Sequence, residues 1–308
     1  MKVAALIRTA VLASLLALPA WAAPPRHFDA HRPPAPQPAA AAVGVDAAGV
    51  RCFTLTGPHG QRYRIQVARL GPLPEGGYPV LYLLDGNAAM ATLTAAREAP
   101  PLAGSVLLVA VGYDTDAYFD TDARSLDYTP PLPDGRPAFD PRVPGRRGGG
   151  ADAFLDFLAG RLMPRIRADW PVAPSAPGIW GHSYGGLLVL HALFERPGLF
   201  GFHAAASPSL WWHAPLMQRA AADFAARGGH GQIRLLLMRG GAERRRGGGP
   251  GAKRDAVTLE AMARTLSVVP GLEVALRRLD GLRHGAMFSA SLGPAIRAFA
   301  RMHAKAGA

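Results

Sequence analysis

Gly181-His182-Ser183-Tyr184-Gly185 holds the most chemistry of any stretch in this chain. In a G-x-S-x-G pattern the two glycines let the backbone turn sharply from a strand into a helix, and the serine hydroxyl stands clear at the turn. A serine hydroxyl is a weak nucleophile at neutral pH. It needs a base within hydrogen-bond reach, and that base needs an acceptor to orient it. Of ten histidines, His284 is singled out by its position in Leu282-Arg283-His284-Gly285, after the last expected strand and before the last helix. The acid is expected after the strand Ile233 to Met238, at Glu243, with Asp255 and Asp280 as rivals and a Ser-His dyad as the further alternative. An oxyanion formed by attack on a carbonyl needs N–H donors. Tyr184, the residue after the nucleophile, supplies one, and Gly86 or Asn87 in Asp85-Gly86-Asn87 supplies the other.

These residues need a scaffold, and the hydropathy pattern provides it. Val50 to Thr56 and Gln61 to Arg69 flank the turn Gly57-Pro58-His59-Gly60 and predict an antiparallel hairpin. Tyr78 to Leu84 and Val106 to Val111 are apolar β runs with a helix, about Ala88 to Arg97, between them. Ser175 to Trp180 leads into the serine turn, and Gly186 to Phe194 leaves it as a buried helix. Phe202 to Ala206, Ile233 to Met238 and Leu272 to Leu279 predict further strands, with helices over Asp152 to Asp169, Asp255 to Ser267 and Met287 to His303. Alternation of this kind predicts an α/β-hydrolase fold. It has a mostly parallel central sheet, an N-terminal antiparallel hairpin, helices on both faces and no separate cap domain. The segment from Gly112 to Gly150 is rich in Asp, Pro and Gly and is too long for a plain connection, which marks it as functional or mobile.

The chain has 308 residues, and its N-terminus reads as a targeting segment. Lys2 and Arg8 precede the apolar run Thr9 to Leu18, and Ala20-Trp21-Ala22 has the A-x-A form of a cleavage site. Residues 1–22 are therefore expected to be a signal peptide, 23–42 a Pro/Ala-rich disordered linker and 43–308 the catalytic domain, acting in the periplasm without a membrane span. The single cysteine, Cys52, allows no internal disulfide and is expected to be a small buried side chain. With 34 Lys and Arg against 22 Asp and Glu, the formal charge is +12. Arg142, Arg146 and Arg147 cluster in one Gly-rich loop, and Arg244, Arg245 and Arg246 lie in another, just after Glu243. Such clusters either attract an anionic substrate or form a generic basic surface. No metal, cofactor or nucleic-acid partner is expected.

Taken together, Tyr82-Leu83-Leu84-Asp85-Gly86-Asn87, Arg124 with Asp127-Tyr128-Thr129-Pro130, Gly181 to Gly186, Ser207-Pro208-Ser209-Leu210-Trp211-Trp212 and His284-Gly285 carry a resemblance. From about Val50 to its end the chain resembles the esterase D-like α/β hydrolases. It is most similar to the trilactone esterases of catecholate siderophores of the enterobactin, salmochelin and bacillibactin type. The resemblance implies Ser183 as nucleophile and His284 as base. It matches Glu243 less cleanly, because an Arg-rich insert follows that residue. The implied substrate, free or as its anionic ferric complex, would find charge at Arg124, Arg244 and Arg245 and stacking surfaces at Tyr128, Trp211 and Trp212. The two tryptophans suit core or corner packing better than ligand contact. Another exported ester hydrolase or acyltransferase of the same fold, or a non-catalytic polyanion-binding protein, are the alternatives.

Overall fold

Strands without polar alternation must be covered on both faces, and five such strands form the centre of this protein. The computed structural model describes residues 49–96, 104–228, 231–243 and 258–304. The expected signal peptide and linker lie outside the described residues, as do Arg244, Arg245, Arg246 and Asp255. The five strands are Val80–Leu84 (β3), Val106–Tyr113 (β4), Gly178–His182 (β7), Phe202–Ala206 (β8) and Ile233–Gly240 (β9), and all but two of their residues, both in β9, are buried. Arg51–Thr56 (β1) and Arg62–Leu70 (β2) form the antiparallel hairpin, and Leu272–Leu279 (β10) closes the other edge. The sheet order is β1-β2-β4-β3-β7-β8-β9-β10. Pairing is antiparallel from β1 through β2 to β4 and parallel from there on.

Helices cover both faces. Gly86–Ala95 (α1) and His284–Ala304 (α8) bury Met90, Leu93, Met287, Leu292 and Phe299 against one side. On the other lie Ala151–Phe157 (α3), Met163–Asp169 (α4), Tyr184–Glu195 (α5), Leu216–Arg227 (α6) and Leu259–Leu266 (α7). A π-helical turn over Leu158–Leu162 joins α3 to α4. In α5 every residue from Tyr184 to Phe194 is buried, as befits a helix apolar on all sides.

Three sequence expectations need amendment. Cys52 is exposed. On the edge strand β1 it shares the solvent face with Thr54 and Thr56, while Phe53 and Leu55 turn toward the core. The Gly112 to Gly150 segment carries structure of its own. It contains the helix Thr121–Tyr128 (α2) and a two-stranded hairpin, Ala138–Phe139 (β5) with Arg147–Gly148 (β6). Helix α6, between the Trp211-Trp212 corner and β9, was not among the expected elements. Its arginine-then-glycine end, Arg227-Gly228, is an ordinary helix stop.

Candidate active site

Ser183 follows β7 with φ 60° and ψ −112°, and α5 begins at the next residue. Gly181 must lack a side chain, because a Cβ there would lie 2.4 Å from the backbone of Gly185. The strained serine is held by main-chain bonds on both sides. Its N–H donates to the Ala206 carbonyl at 3.0 Å, and its carbonyl accepts from the N–H of Leu187 at 2.9 Å and of Ser209 at 3.1 Å. Its Oγ lies 3.0 Å from Nε2 of His284 and 3.1 Å from Oγ of Ser209. His284 comes to this place because α8 starts with it, beyond the carboxyl end of β10.

His182, the residue before Ser183, also serves the site. Its Nε2 lies 2.8 Å from the His284 carbonyl, which can only accept, so Nε2 carries the proton. The two imidazoles lie 4.7 Å apart, and Phe288 meets the His182 ring edge to face. Burial, with the neighbouring His284 and Arg124 adding to it, holds the His182 pKa well below the usual 6.5. His182 is therefore a neutral donor that fixes the main chain of His284.

Strand β3 pairs directly with β7, so the turn after β3 lies beside the serine turn. Gly86 and Asn87 open α1, where the first N–H groups have no partner within the helix, and Tyr184 opens α5 in the same way. Gly86 packs so closely on β4 that a Cβ would lie 2.6 Å from the main chain of Val111. The Asn87 side chain is occupied elsewhere, its amide nitrogen lying 3.0 Å from each of the carbonyls of Tyr113, Thr115 and Ala117.

Four residues expected to bind substrate turn out to build the site instead, or to lie at its edge. Arg124 grips the buried Asp85 carboxylate with Nε and Nη2, both at 2.8 Å, and its Nη2 reaches the His182 carbonyl at 3.4 Å. Its charge is used up in joining the α1 turn to the serine turn. Burial works against that charge, but the paired Asp85 outweighs it and raises the arginine pKa. Tyr128 is wholly buried, and its hydroxyl accepts from the Asp85 N–H at 3.1 Å. Trp212 is wholly buried too, donating from Nε1 to the Pro130 carbonyl at 3.2 Å. Trp211 alone of the aromatic candidates is partly open. It packs on Tyr184, and the guanidinium carbon of Arg142 sits 3.3 Å from its ring centre. The Asp127-Tyr128-Thr129-Pro130 segment is thus a structural knot. Asp127 accepts from the hydroxyls of Tyr63 and Tyr113, and Thr129 ties α2 to the β6 loop through Ser125 and Gly149.

Glu243 lies in the turn after β9, against the loop that carries His284: the Ala242 N–H donates to the Leu282 carbonyl at 2.9 Å. Among the described residues its carboxylate accepts from the Ser207 hydroxyl and from the Gly240 N–H, both at Oε1, and not from the imidazole. The expected direct Glu243–His284 bond is therefore not seen. The rival Asp280 is exposed and pairs with Arg278 at 2.9 Å. The roles of Ser209, His182 and Asp85 were missed from sequence, although each lies inside a motif quoted above. Among the described residues no three His, Cys, Asp or Glu side chains converge as a metal site, and no helix is long and apolar enough to cross a membrane.

A family model described as a putative esterase matches residues 60–246, which include the serine turn and Glu243. The chain belongs to this esterase family. It is 38% identical over 175 residues to the siderophore triacetylfusarinine C esterase of Aspergillus fumigatus, covering 53% of this chain and 56% of the relative. To the apo-salmochelin esterase of Escherichia coli it is 32% identical over 237 residues, covering 72% and 70%. This esterase-family chain thus spans little more than half the length of the fungal relative. Among solved structures, the siderophore hydrolase EstB from Aspergillus nidulans superposes with a TM-score of 0.69 at 28% identity, covering 83% of this chain and 96% of that one.

Proposed function

We propose that this member of the esterase family is an exported serine esterase that hydrolyses the ester bonds of a siderophore, its substrate class being the trilactone of a catecholate siderophore, free or ferric. The observation that carries the reaction is the 3.0 Å contact between Ser183 Oγ and His284 Nε2 at a strained strand-to-helix turn. As Oγ attacks the ester carbonyl, its proton passes to Nε2. The carbonyl oxygen becomes an oxyanion facing the free N–H groups at the starts of α5 and α1, those of Tyr184 and of Gly86 or Asn87. Collapse of that intermediate expels the alcohol oxygen, which takes the proton from His284, and leaves an acyl-Ser183. Water then repeats the two steps with His284 again as base.

Glu243 has a positioning role in this reading: its turn is braced against the Leu282 carbonyl that precedes His284. The carboxylate that orients the imidazole is sought at the rival Asp255, a Ser-His dyad being the alternative. Substrate class is supported by the relatives, named as esterases of triacetylfusarinine C and salmochelin siderophores. Export is supported by Lys2, Arg8, the apolar run after them and the Ala20-Trp21-Ala22 site. The partly open Trp211 with Arg142 across it offers an aromatic and cationic rim suited to an anionic catechol ester.

The test is incubation with iron-free and ferric enterobactin and with triacetylfusarinine C, the products being read by mass spectrometry. Opened, hydrated esters are expected, absent with Ser183→Ala. Intact siderophores beside rapid cleavage of a simple chromogenic ester would refute the substrate class and leave the esterase standing. Recovery of the unprocessed chain in the cytoplasmic fraction would refute export.

A further inference from the structure

We propose that Ser209 is a further catalytic residue, a hydrogen-bond donor to the attacking oxygen of Ser183; this rests on Ser183 being the nucleophile. Ser209 belongs to the Ser207-Pro208-Ser209-Leu210-Trp211-Trp212 corner, a motif the catalytic pair leaves unexplained. The residue is 1% exposed, and its hydroxyl lies 3.1 Å from Ser183 Oγ. No other side-chain hydrogen bond of Ser209 is found among the described residues. A buried hydroxyl requires a partner, and here the partner is the nucleophile.

The direction of the bond follows from the count of protons. Ser183 Oγ carries one hydrogen and two lone pairs. Its hydrogen must point at His284 Nε2, 3.0 Å away, for that nitrogen to act as base. Ser209 then donates and Ser183 accepts. The donor is held in place from several sides. Its N–H donates to the Ser183 carbonyl at 3.1 Å, and its own carbonyl accepts from Trp212 at 3.0 Å. Two residues earlier, Ser207 stands at φ 44° with its N–H on the Met238 carbonyl and its hydroxyl on Glu243. Glu243 therefore braces the Ser209 corner as well as the His284 loop.

The bond matters most when charge is moving. As the Ser183 proton passes to Nε2, negative charge builds on Oγ until the new carbon–oxygen bond takes up the electron pair. A donor to an anionic oxygen is roughly twice as strong as one to a neutral hydroxyl. In the acyl intermediate Oγ is an ester oxygen, a poor acceptor. During deacylation Oγ leaves the tetrahedral carbon with its electron pair and recovers a proton from His284, and Ser209 again faces a developing alkoxide. The Ser209 proton never leaves its oxygen. An interaction that tightens only on the way to the transition state changes kcat and leaves KM alone.

Ser209→Ala keeps the main-chain bond and removes the donor. Two rates decide the matter: steady-state hydrolysis of a small neutral ester, and covalent capture of Ser183 by an organophosphonate, which reports the nucleophile without a natural substrate. Both are expected to fall together by about 10- to 100-fold, less than the loss of a full oxyanion donor, with KM within about twofold and melting unchanged over the assay range. Unchanged capture, or a loss confined to KM, overturns the proposal. Should Ser209→Ala fail to fold, Ser209→Cys, which keeps a weak donor, is read in its place. Slower capture supports the proposal, and a wild-type rate overturns it. Ser183→Ala is measured in parallel. If it retains turnover, the nucleophile reading itself is wrong. If it is inert while Ser209→Ala is fully active, only the role of Ser209 is lost.

Discussion

Ser183 occupies a backbone conformation that an L side chain adopts only when its surroundings hold it there. Stability is given up for a hydroxyl aimed at His284. Ser183→Ala is expected to remove ester hydrolysis almost completely, and Ser183→Gly to be equally inert but more stable than the alanine variant by about 1 kcal/mol, because glycine tolerates positive φ. Denaturant midpoints of the two variants check this, and equal midpoints would mean that the turn is not strained. Glu243 gives a graded expectation. Glu243→Gln retains an acceptor for Ser207 and Gly240 and should lower kcat about tenfold, whereas Glu243→Ala releases both bonds and should cost more, each less than the loss of Ser183. A glutamine variant as dead as Ser183→Ala would show that the negative charge itself acts on the imidazole. The meeting of Ser183 with His284 was legible because chain order and the glycine spacing constrain their places tightly. Tyr128 and Trp212 were not, since an aromatic ring suits a core as well as a ligand and sequence does not say which way it faces. The bond from Glu243 to Ser207 links residues 36 apart in sequence and was invisible for the same reason.

Helix α2 shows how an element can escape notice and still organise the site. Its eight residues bury only Ser125, Asp127 and Tyr128, so it has no apolar stripe to read. Its one local signal is Asp120, whose carboxylate accepts from the Ala123 N–H at 3.0 Å as an N-cap. The parallel strands, by contrast, announce themselves as unbroken apolar runs, which is why the sheet and the helices after β3 and β7 were predictable. From α2, Arg124 reaches across to Asp85 and His182 and so joins the turn before α1 to the serine turn. Arg124→Met would leave the Asp85 carboxylate buried without its partner, at an expected cost of about 3–5 kcal/mol. If Arg124 is a clamp, hydrolysis of a small neutral ester and of an anionic siderophore should fall by the same factor. A loss confined to the anionic substrate, with stability unchanged, would return Arg124 to substrate binding.

At the scale of the whole molecule, buried titratable groups set how stability responds to acid. His203, in β8 with neither ring nitrogen hydrogen-bonded among the described residues, is pushed down to about 3 by burial alone. His182 lies well below 6.5 for the same leading reason. Each is neutral in the folded chain while the unfolded chain takes up a proton below about 6.5, so their contribution is present above that pH and is lost as pH falls. Asp127 has the opposite sign. Burial raises it to about 6, against hydrogen bonds from Tyr63 and Tyr113 that pull it down. Between about 4 and 6 the folded chain holds a proton on Asp127 that the unfolded chain has released, and this contribution is lost as pH rises through 6. Over that window the two histidines favour the fold as pH rises and Asp127 opposes them. Asp127→Asn should therefore steepen the rise of stability with pH, and His203→Leu should flatten it. Unfolding free energies from urea titrations at half-unit steps across the window measure both. An Asp127→Asn slope no steeper than that of the parent chain would mean that Asp127 is ionised in the fold. The tyrosine knot beneath α2 would then be holding a buried charge rather than a shared proton.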